Sequence, residues 1–215
     1  TNYPEGQSET FEVENNPVHP EQGSHTITFS REAWIEADDF METPIPKYKR
    51  LTPNGPECRL KGAYLITCTG CKKDENGNVV EVYATYDPNS RGGDPADGRK
   101  VKGATIHWVD AKNCVEAEVR EYDNLFADAQ PDAAEDFLTC LNPDSLHVLT
   151  GCKVEASLVA EAKKFDAVEN REGKNAPAFQ FMRLGYFCLD NQDCHADHLV
   201  FNRSVLLKDS FKPGK

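Results

Sequence analysis

The sequence predicts a mainly β fold of antiparallel barrels or sandwiches with one short connecting helix. Short runs rich in β-branched and aromatic residues recur along the chain, separated by clusters of Gly, Pro, Asp and Asn. Only one segment combines helical spacing with both a start and a stop signal. Many short strands with regularly spaced turns are typical of all-β architectures. The 215 residues suffice for one large domain or two small ones.

The clearest strands are the runs AYLITC and VVEVYATYD, at residues 63–68 and 79–87. Asn76-Gly77 lies between them and is a strong turn signal, so the two runs are expected to pair antiparallel. Side chains alternate between the two faces of a strand, which predicts one inward face on the second run. That face consists of Val80, Val82, Ala84 and Tyr86.

A third strand is predicted in KVKGATIHWV, residues 100–109, after a Gly/Pro/Asp loop at residues 87–98. Ile106 and Trp108 share one face of this run, which completes a three-strand unit. Later strands are predicted in SLHVL, AFQFMRLGYFCL and VFNRSVLL, at residues 145–149, 178–189 and 200–207.

The single helix is predicted over residues 132–141, DAAEDFLTCL. Asp132 is its candidate N-cap, Glu135 follows three residues later, and Pro143 enforces a stop. Its predicted buried stripe consists of Ala134, Phe137, Leu138 and Leu141. Residues 163–178, rich in charge, read as a polar surface excursion.

Positive charge is concentrated in two places in a chain of formal net charge −12. One is RKVKG, residues 99–103. The other is residues 44–62, which carry a net charge of +4 because five cationic residues face Glu57 alone. This contrast indicates local docking of an anion. The five cations are Lys47, Lys49, Arg50, Arg59 and Lys61.

Aromatic residues are interleaved with these cations. Unstacked bases bind by stacking on aromatic or guanidinium planes, so cationic, aromatic strands suit single-stranded RNA. The alternative is that the aromatic residues fill the core and the charged run is a solvated face. The aromatic residues concerned are Tyr48, Tyr64, Tyr83, Tyr86, Trp108, Phe179, Phe181, Tyr186 and Phe187.

The eight cysteines are expected to be reduced thiols, because the chain is long and its first residues lack a secretion signal. CTGC and CLDNQDCHADH together offer four tetrahedral zinc ligands, which makes a zinc-stabilised interaction module one alternative. Cysteines buried as small hydrophobic residues are the favoured interpretation. The zinc alternative would use Cys68, Cys71, Cys194 and His198.

Several function classes lack support. No apolar run approaches the roughly 18 to 20 residues of a membrane span, and a cytoplasmic protein is expected. Nucleophile elbow, phosphate loop, dinucleotide fingerprint and HExxH motifs do not occur, so a self-contained hydrolase is disfavoured.

Longer motifs identify a resemblance. They are FSREAWIEADDF (29–40), KYKRL (47–51), ATYDP (84–88), DGRKVKGATIHWV (97–109), REYDNLF (120–126), DFLTCLNPDSL (136–146), FQFMRLGYFCLD (179–190) and VFNRSVLLKD (200–209). In this order and over nearly the whole chain, they resemble the C-terminal anticodon-binding region of the glutaminyl-tRNA synthetases.

The resemblance implies two consecutive antiparallel β-barrels of the ribosomal L25 type, the distal one inserted into the proximal one. The proximal barrel would comprise residues 1–43 and 132–215, and the distal barrel residues 44–131. A class I catalytic domain, whose HIGH-like and KMSKS-like motifs do not occur here, would lie upstream, so Thr1 is expected to be a truncation point.

The resemblance also implies partners. The longer enzyme would attach glutamine to tRNA(Gln) using ATP with Mg, and this region would bind the CUG or UUG anticodon. No catalytic residue, metal or cofactor is expected here, nor a membrane or DNA partner, and the protein is expected to be a monomer. A glutamyl-tRNA synthetase with the same barrels is the nearest alternative.

Roles carry over to six residues. Lys49 and Arg50 match positions at the anticodon, with Arg50 at the third base. Arg59 and Lys61 match the basic pair near the first base and its phosphates. Gln180 and Arg183 match the pair that reads the central uridine, where an amide both donates and accepts.

Two departures from the family pattern affect these roles. Lys61 stands where the RLR pattern has arginine, so base reading there is expected to become phosphate anchoring. Met182 replaces an acidic residue and removes an orienting partner for Arg183.

Overall fold

The computed structural model describes residues 1–207, and strands dominate it. The strands are β1 (Glu9–Glu14), β2 (Ser24–Phe29), β3 (Ala33–Trp34), β4 (Cys58–Leu60), β5 (Leu65–Lys73), β6 (Val79–Tyr86), β7 (Thr105–Ile106), β8 (Val109–Asp110), β9 (Val115–Tyr122), β10 (Leu146–Val154), β11 (Ala178–Phe181), β12 (Gly185–Leu189) and β13 (Leu199–Leu206). The one α-helix of the described residues is α1 (Leu158–Asp166); short 3₁₀ helices are Pro20–Gln22, Ala37–Asp39, Pro131–Ala133, Phe137–Cys140 and Arg171–Gly173.

The mainly β fold class predicted from the sequence is confirmed. Within residues 1–207 the strands pair into four sheets, and none of these closes into a barrel by its strand order. No helix of the described residues is long and apolar enough to cross a membrane.

The chain divides into two compact units after Cys114, here called the first unit and the second unit. The nested barrel boundaries at residues 43/44 and 131/132 differ from this division and stay a prediction. Residues of the segment 1–43 pair with residues from the middle of the chain within the first unit. Trp34 of β3, for example, pairs with Val109 of β8.

The first unit contains a four-stranded sheet in the order β6-β5-β4-β7 and two two-stranded sheets, β1-β2 and β3-β8. Its core contains a cluster of aromatic rings, with ring pairs in edge-to-face contact that stabilise beyond burial alone. The rings of this cluster belong to Tyr3, Phe11, Phe29, Tyr64, Tyr86 and Trp108.

The predicted hairpin forms, because β5 and β6 pair antiparallel around Gly77 at φ 85°. Asp74 closes the turn by accepting the backbone N–H groups of Asn76 and Asn78. Three of the four predicted inward residues pack on the core, but Val80 is 53% exposed. Val80 lies next to the turn, beyond the edge of the core.

The predicted third strand is wrong in detail. Ile106 and Trp108 are both buried as expected, but the run splits into β7 and β8, which belong to different sheets. β7 pairs parallel with β4, a strand that the sequence analysis did not predict. The indole N–H of Trp108 donates to the carbonyl of Lys61 at 3.0 Å, which fixes the chain between the two sheets.

The second unit contains one five-stranded sheet in the order β10-β9-β13-β12-β11. The predicted strands at residues 145–149, 178–189 and 200–207 all contain strand, with residues 178–189 folding back as the hairpin β11-β12. Phe187 and Phe201 are fully buried, and α1 packs Phe165 into the same core. Lys208 and Asp209 of the last family motif lie outside the described residues.

The helix predicted over residues 132–141 is wrong. Two short 3₁₀ helices occupy that stretch, because the carboxylate of Asp136 accepts the N–H of Leu138 and starts a new turn there. Phe137 and Leu138 of the predicted buried stripe are more than half exposed. The true helix, α1, begins before the segment predicted as a polar excursion and runs into it.

Candidate nucleic-acid interface

Lys49, Arg50, Arg59 and Lys61 lie in the first unit, and Gln180 and Arg183 lie in the second. Lys49, Lys61 and Gln180 are exposed, and the three arginines are partly buried. Within the part of the chain that the structure describes, the side chains of the two lysines and of Gln180 make no hydrogen bond or ion pair.

Arg50 is oriented by the 3₁₀ helix Ala37–Asp39. Its Nη1 donates to the carbonyl of Asp38 at 3.0 Å, and its Nε lies 3.5 Å from Oδ1 of Asp39. The Asp39 side chain is fully buried, whereas about a third of Arg50 reaches solvent. A buried charge needs a paired partner, so this contact couples the local fold to the orientation of Arg50.

Arg59 lies in the middle of β4, between two buried neighbours, and points away from the core. Its guanidinium contacts the loop at residues 87–99: Nε donates to the carbonyl of Gly93, and Nη2 to Oδ1 of Asp94 at 3.0 Å. Nη1 lies 3.5 Å from Oγ1 of Thr105. Arg59 is therefore fixed on more than one edge, whereas Lys61 is not.

The RKVKG run supports this segment through its backbone. The N–H of Ala104 donates to the carbonyl of Lys49 at 2.7 Å, and its carbonyl accepts the N–H of Arg59 at 3.0 Å. Gly103 donates to the carbonyl of Glu57, and a Cβ at Gly103 would lie 2.2 Å from that oxygen. Only glycine permits this approach.

Arg99, the first residue of the run, contacts three carboxylates: Glu57 and Asp87, both at 2.7 Å, and Asp97 at 2.9 Å. Hydrogen bonds to these carboxylates raise the pKa of Arg99. The same guanidinium lowers the pKa of Asp87, as its hydrogen bond to Arg99 favours the ionised carboxylate. Arg99 thus closes the 87–99 loop.

Gln180 lies on β11 directly opposite Tyr186 of β12 in the antiparallel register. Cross-strand neighbours have Cβ atoms about 4.5–5.5 Å apart. Tyr186 is 45% exposed, so an amide and an aromatic ring lie side by side on the open face of the hairpin. This pair offers edge hydrogen bonding next to a stacking surface.

Arg183 follows the end of β11 in the turn that leads to β12, where the N–H of Leu184 donates to the carbonyl of Phe181 at 2.9 Å. Its backbone is left-handed, with φ 68°. Lys47, in the basic segment of the first unit, has φ 70°. Such strain in residues other than glycine is concentrated at binding sites.

The cysteine motifs have a structural role. Cys68 and Cys194 are buried in separate cores, and burial raises the pKa of each thiol. His195 and Arg171 both contact Oδ1 of Asp166, at 3.1 and 2.9 Å, which ties the CHADH loop to the end of α1. Among residues 1–207, no group of three or more His, Cys, Asp or Glu side chains is placed to bind a metal.

The residues that sequence reasoning missed are the acidic partners of the arginines, Asp39 and Asp94. The only sequence signals were Asp-Asp before the basic segment and Gly-Gly-Asp in the loop. Because Asp94 lies 35 positions from Arg59, no local sequence pattern indicates that the two side chains form an ion pair.

Comparisons with known proteins identify the family. A family described as class I tRNA synthetases (E and Q), anticodon-binding domain, matches residues 1–87, and a second family with the same description matches residues 105–190. The glutamine–tRNA ligase of Clostridioides difficile strain 630 is 49% identical over 216 residues, covering 100% of this chain and 36% of the relative. Those of Vibrio vulnificus and Pseudomonas syringae pv. tomato are 47% and 49% identical and cover 98% of this chain. The chain spans about a third of the length of these relatives.

Proposed function

Because the chain belongs to the anticodon-binding family of the class I tRNA synthetases for Glu and Gln, we propose that it binds the CUG or UUG anticodon loop of tRNA(Gln). The observation that carries this proposal is the match of both family descriptions across the residues that present the predicted contacts. Exposed lysines and oriented arginines within an otherwise acidic chain support it. Acidic surfaces repel a polyanion away from the site and favour docking at it.

Each side chain has a role suited to its chemistry. Lys49 and Lys61 are point charges that bind phosphates. Arg50 reads the third anticodon base, a guanine, whose O6 and N7 atoms accept a guanidinium fork. Arg59 binds at the first base.

The second unit contributes the reading of the central base. Gln180 pairs with the edge of the uridine, because its amide both donates and accepts. Tyr186 offers a ring on which that base stacks. Arg183 contacts a carbonyl or phosphate oxygen from its strained turn.

The test is binding of the 215-residue chain to fluorescent anticodon hairpins, measured by anisotropy over a range of salt concentrations. A hairpin with CUG is expected to bind about 10- to 100-fold more tightly than one with a changed central base, since one base readout contributes about 1–3 kcal/mol. Binding should weaken with salt as phosphate contacts are screened. Equal affinity for both hairpins would refute the assignment.

The third base separates the glutamine assignment from the glutamate alternative, since glutamate anticodons share the central uridine but end in cytosine. We infer that Arg50 favours guanine there. A hairpin with CUC should bind more weakly than one with CUG. Charging of tRNA with glutamine or glutamate by the longer protein gives an independent answer.

For the longer protein, we propose a cytoplasmic, monomeric glutamine–tRNA ligase. ATP, with Mg, and glutamine would bind in the part of the relatives that this chain does not span. The nested proximal and distal barrels belong to this proposal. Size-exclusion chromatography with light scattering tests the monomer.

A further inference from the structure

The loop at residues 87–99 is anchored to the first unit from several sides. The buried hydroxyl of Ser90 accepts the N–H of Leu65 at 2.9 Å, and the N–H of Gly92 donates to the carbonyl of Ala63 at 2.7 Å. Arg99 closes the loop at its far end through carboxylates. The corner at residues 92–94 therefore has a fixed position beside β4.

Gly93 places this corner directly against the stem of Arg59. Its φ is 95°, and a Cβ there would lie 2.9 Å from Cδ of Arg59. Glycine allows both the left-handed backbone and the close approach. The side chain of Arg59 is thus confined between the loop backbone and its own strand, and 29% of it reaches solvent.

Asp94 completes the arrangement by accepting from Nη2 of Arg59 at 3.0 Å. The Asp94 side chain is 89% exposed, so its charge lies on the surface that any ligand of Arg59 must approach. Arginine has five N–H donors. Three are used by Gly93, Asp94 and Thr105, which leaves two among the contacts within residues 1–207.

A guanidinium that already has a carboxylate partner distinguishes between ligands. Its two remaining N–H groups donate to a neutral acceptor, such as the carbonyl of a base. A phosphate that approaches the same groups meets the negative charge of the carboxylate as well. Lys61, two residues further along, has no such partner within the described chain.

We propose that Asp94 is a specificity-determining residue that acts through Arg59, orienting it toward the neutral edge of one unstacked RNA base and excluding phosphate from that position. The proposal rests on the proposed function, because it assumes an anticodon loop as the ligand. Asp94 is a positioning residue, because its carboxylate contacts Arg59 and would not contact the base that Arg59 reads.

The test compares Asp94→Asn with wild type on four hairpins that differ only at the first anticodon base, over a range of salt concentrations. Every hairpin should bind about threefold to tenfold more tightly to the variant, and the slope of log K against log salt should steepen by about 0.7, the value of one new phosphate contact to a single strand. The ratio between the best and worst first base should fall at least about threefold.

Asp97→Asn is the matched control. It removes the same charge from the same loop, but Asp97 contacts Arg99 rather than Arg59. It should leave the salt slope and the base ratio as in wild type. Asp94→Glu keeps the carboxylate and should keep the wild-type slope, and thermal unfolding followed by tryptophan fluorescence checks that the first unit of each variant folds.

The outcomes separate the two proposals. A wild-type chain that binds anticodon and scrambled hairpins equally overturns the proposed function and this inference with it. If the wild-type chain prefers the anticodon hairpin but Asp94→Asn leaves the ratio of affinities between first bases unchanged, only the proposed role of Asp94 is overturned. The same result follows if Asp97→Asn changes the slope and ratio as much as Asp94→Asn does.

Discussion

The two predicted contact regions present their side chains by different means. In the first unit, Arg50 and Arg59 project from an irregular segment and a three-residue strand, and carboxylates orient both. In the second unit, Gln180 lies on a regular hairpin, and Arg183 owes its position to a left-handed turn. In the proposed function, the first region would recognise its ligand through oriented charge, and the second through an amide whose strand position is set by the hairpin register.

The largest expected effect on stability comes from truncating one fully buried side chain in the core of each unit, in separate variants. Phe201→Ala should lower the free energy of unfolding of the second unit by about 3–5 kcal/mol, the usual cost of removing a fully buried ring. Ile106→Ala should cost the first unit about 2–5 kcal/mol. Among residues 1–207, the buried residues of each core all belong to its own unit.

Both tryptophans, Trp34 and Trp108, lie in the first unit, so their fluorescence reports unfolding of that unit. Hydrogen exchange of the amides of β12 reports the second. In Phe201→Ala, the amides of β12 should exchange faster than in wild type, and the preference for the central uridine of the anticodon should weaken. The unfolding transition followed by tryptophan fluorescence should stay at its wild-type midpoint. Equal shifts of both readouts in both variants would contradict the distinction between the regions.

Gln180→Ala tests whether the second region reads a base through its amide. The free energy of binding to the CUG hairpin should become less favourable by about 1–3 kcal/mol. The preference for uridine at the central position should fall by the same amount, because hairpins with another central base do not form the hydrogen bonds to this amide. Anisotropy titrations give both values. Gln130→Ala removes another exposed glutamine of the second unit and should change neither. A uniform loss on all hairpins would assign Gln180 to backbone contact instead.

The sequence predicted those features that depend on local chemistry. Asn76-Gly77 predicted the hairpin because its backbone preference is intrinsic, and the alternation of Ile106 and Trp108 predicted burial of both. The helix over residues 132–141 failed although its cap and stop signals were present. A short helix needs tertiary packing of its apolar face, but Phe137 is 54% exposed and its ring makes only the edge-to-face contact with Phe126 among the aromatic pairs of the described residues.

The types of residue in the candidate site could be predicted from the sequence, but the contacts that orient their side chains could not. Charge indicated Arg50 and Arg59, whereas Gln180 carries no signal apart from the resemblance. One of the carboxylates that orient the arginines lies far from its partner in sequence, since Asp94 is 35 positions from Arg59. Such pairs are fixed by the fold, which periodicity and composition do not specify.

A pH measurement probes a polar cluster of the first unit. Tyr3 and Tyr64 both donate to Oε1 of Glu9, at 2.9 and 2.8 Å, and Arg91 contacts Oε2. Burial and the hydrogen bond to Glu9 raise the pKa of Tyr3 to about 12 and also raise that of Tyr64. Burial alone would raise the pKa of Glu9, but the hydrogen bonds from Tyr64, Tyr3 and Arg91 outweigh it and lower that pKa.

Because the folded tyrosines bind their protons more tightly than the unfolded chain does, their contribution is complete below the ordinary tyrosine pKa of about 10 and is lost as pH rises toward 12. Denaturant unfolding followed by tryptophan fluorescence should show this decline. Glu9→Gln should reduce it, because the carboxylate that holds the protons is gone. A first unit whose stability is flat between pH 10 and 12 would contradict the assignment.

Lys61→Ala is expected to have the smallest effect and to separate the lysines from the arginines most clearly. Lys61 has no partner in the described chain, so its loss should leave stability within about 0.5 kcal/mol of wild type, as for most surface substitutions. Binding to every hairpin should weaken by a similar factor, and the salt slope should fall by about 0.7. Lys112→Ala, which removes another exposed lysine of the first unit, should leave the slope unchanged. If Lys61→Ala instead changed the ratio of affinities for hairpins that differ at the first base, Lys61 would take part in base recognition as Arg59 is proposed to do. That result would contradict the distinction between arginines that are oriented by carboxylates to recognise bases and lysines that bind phosphates.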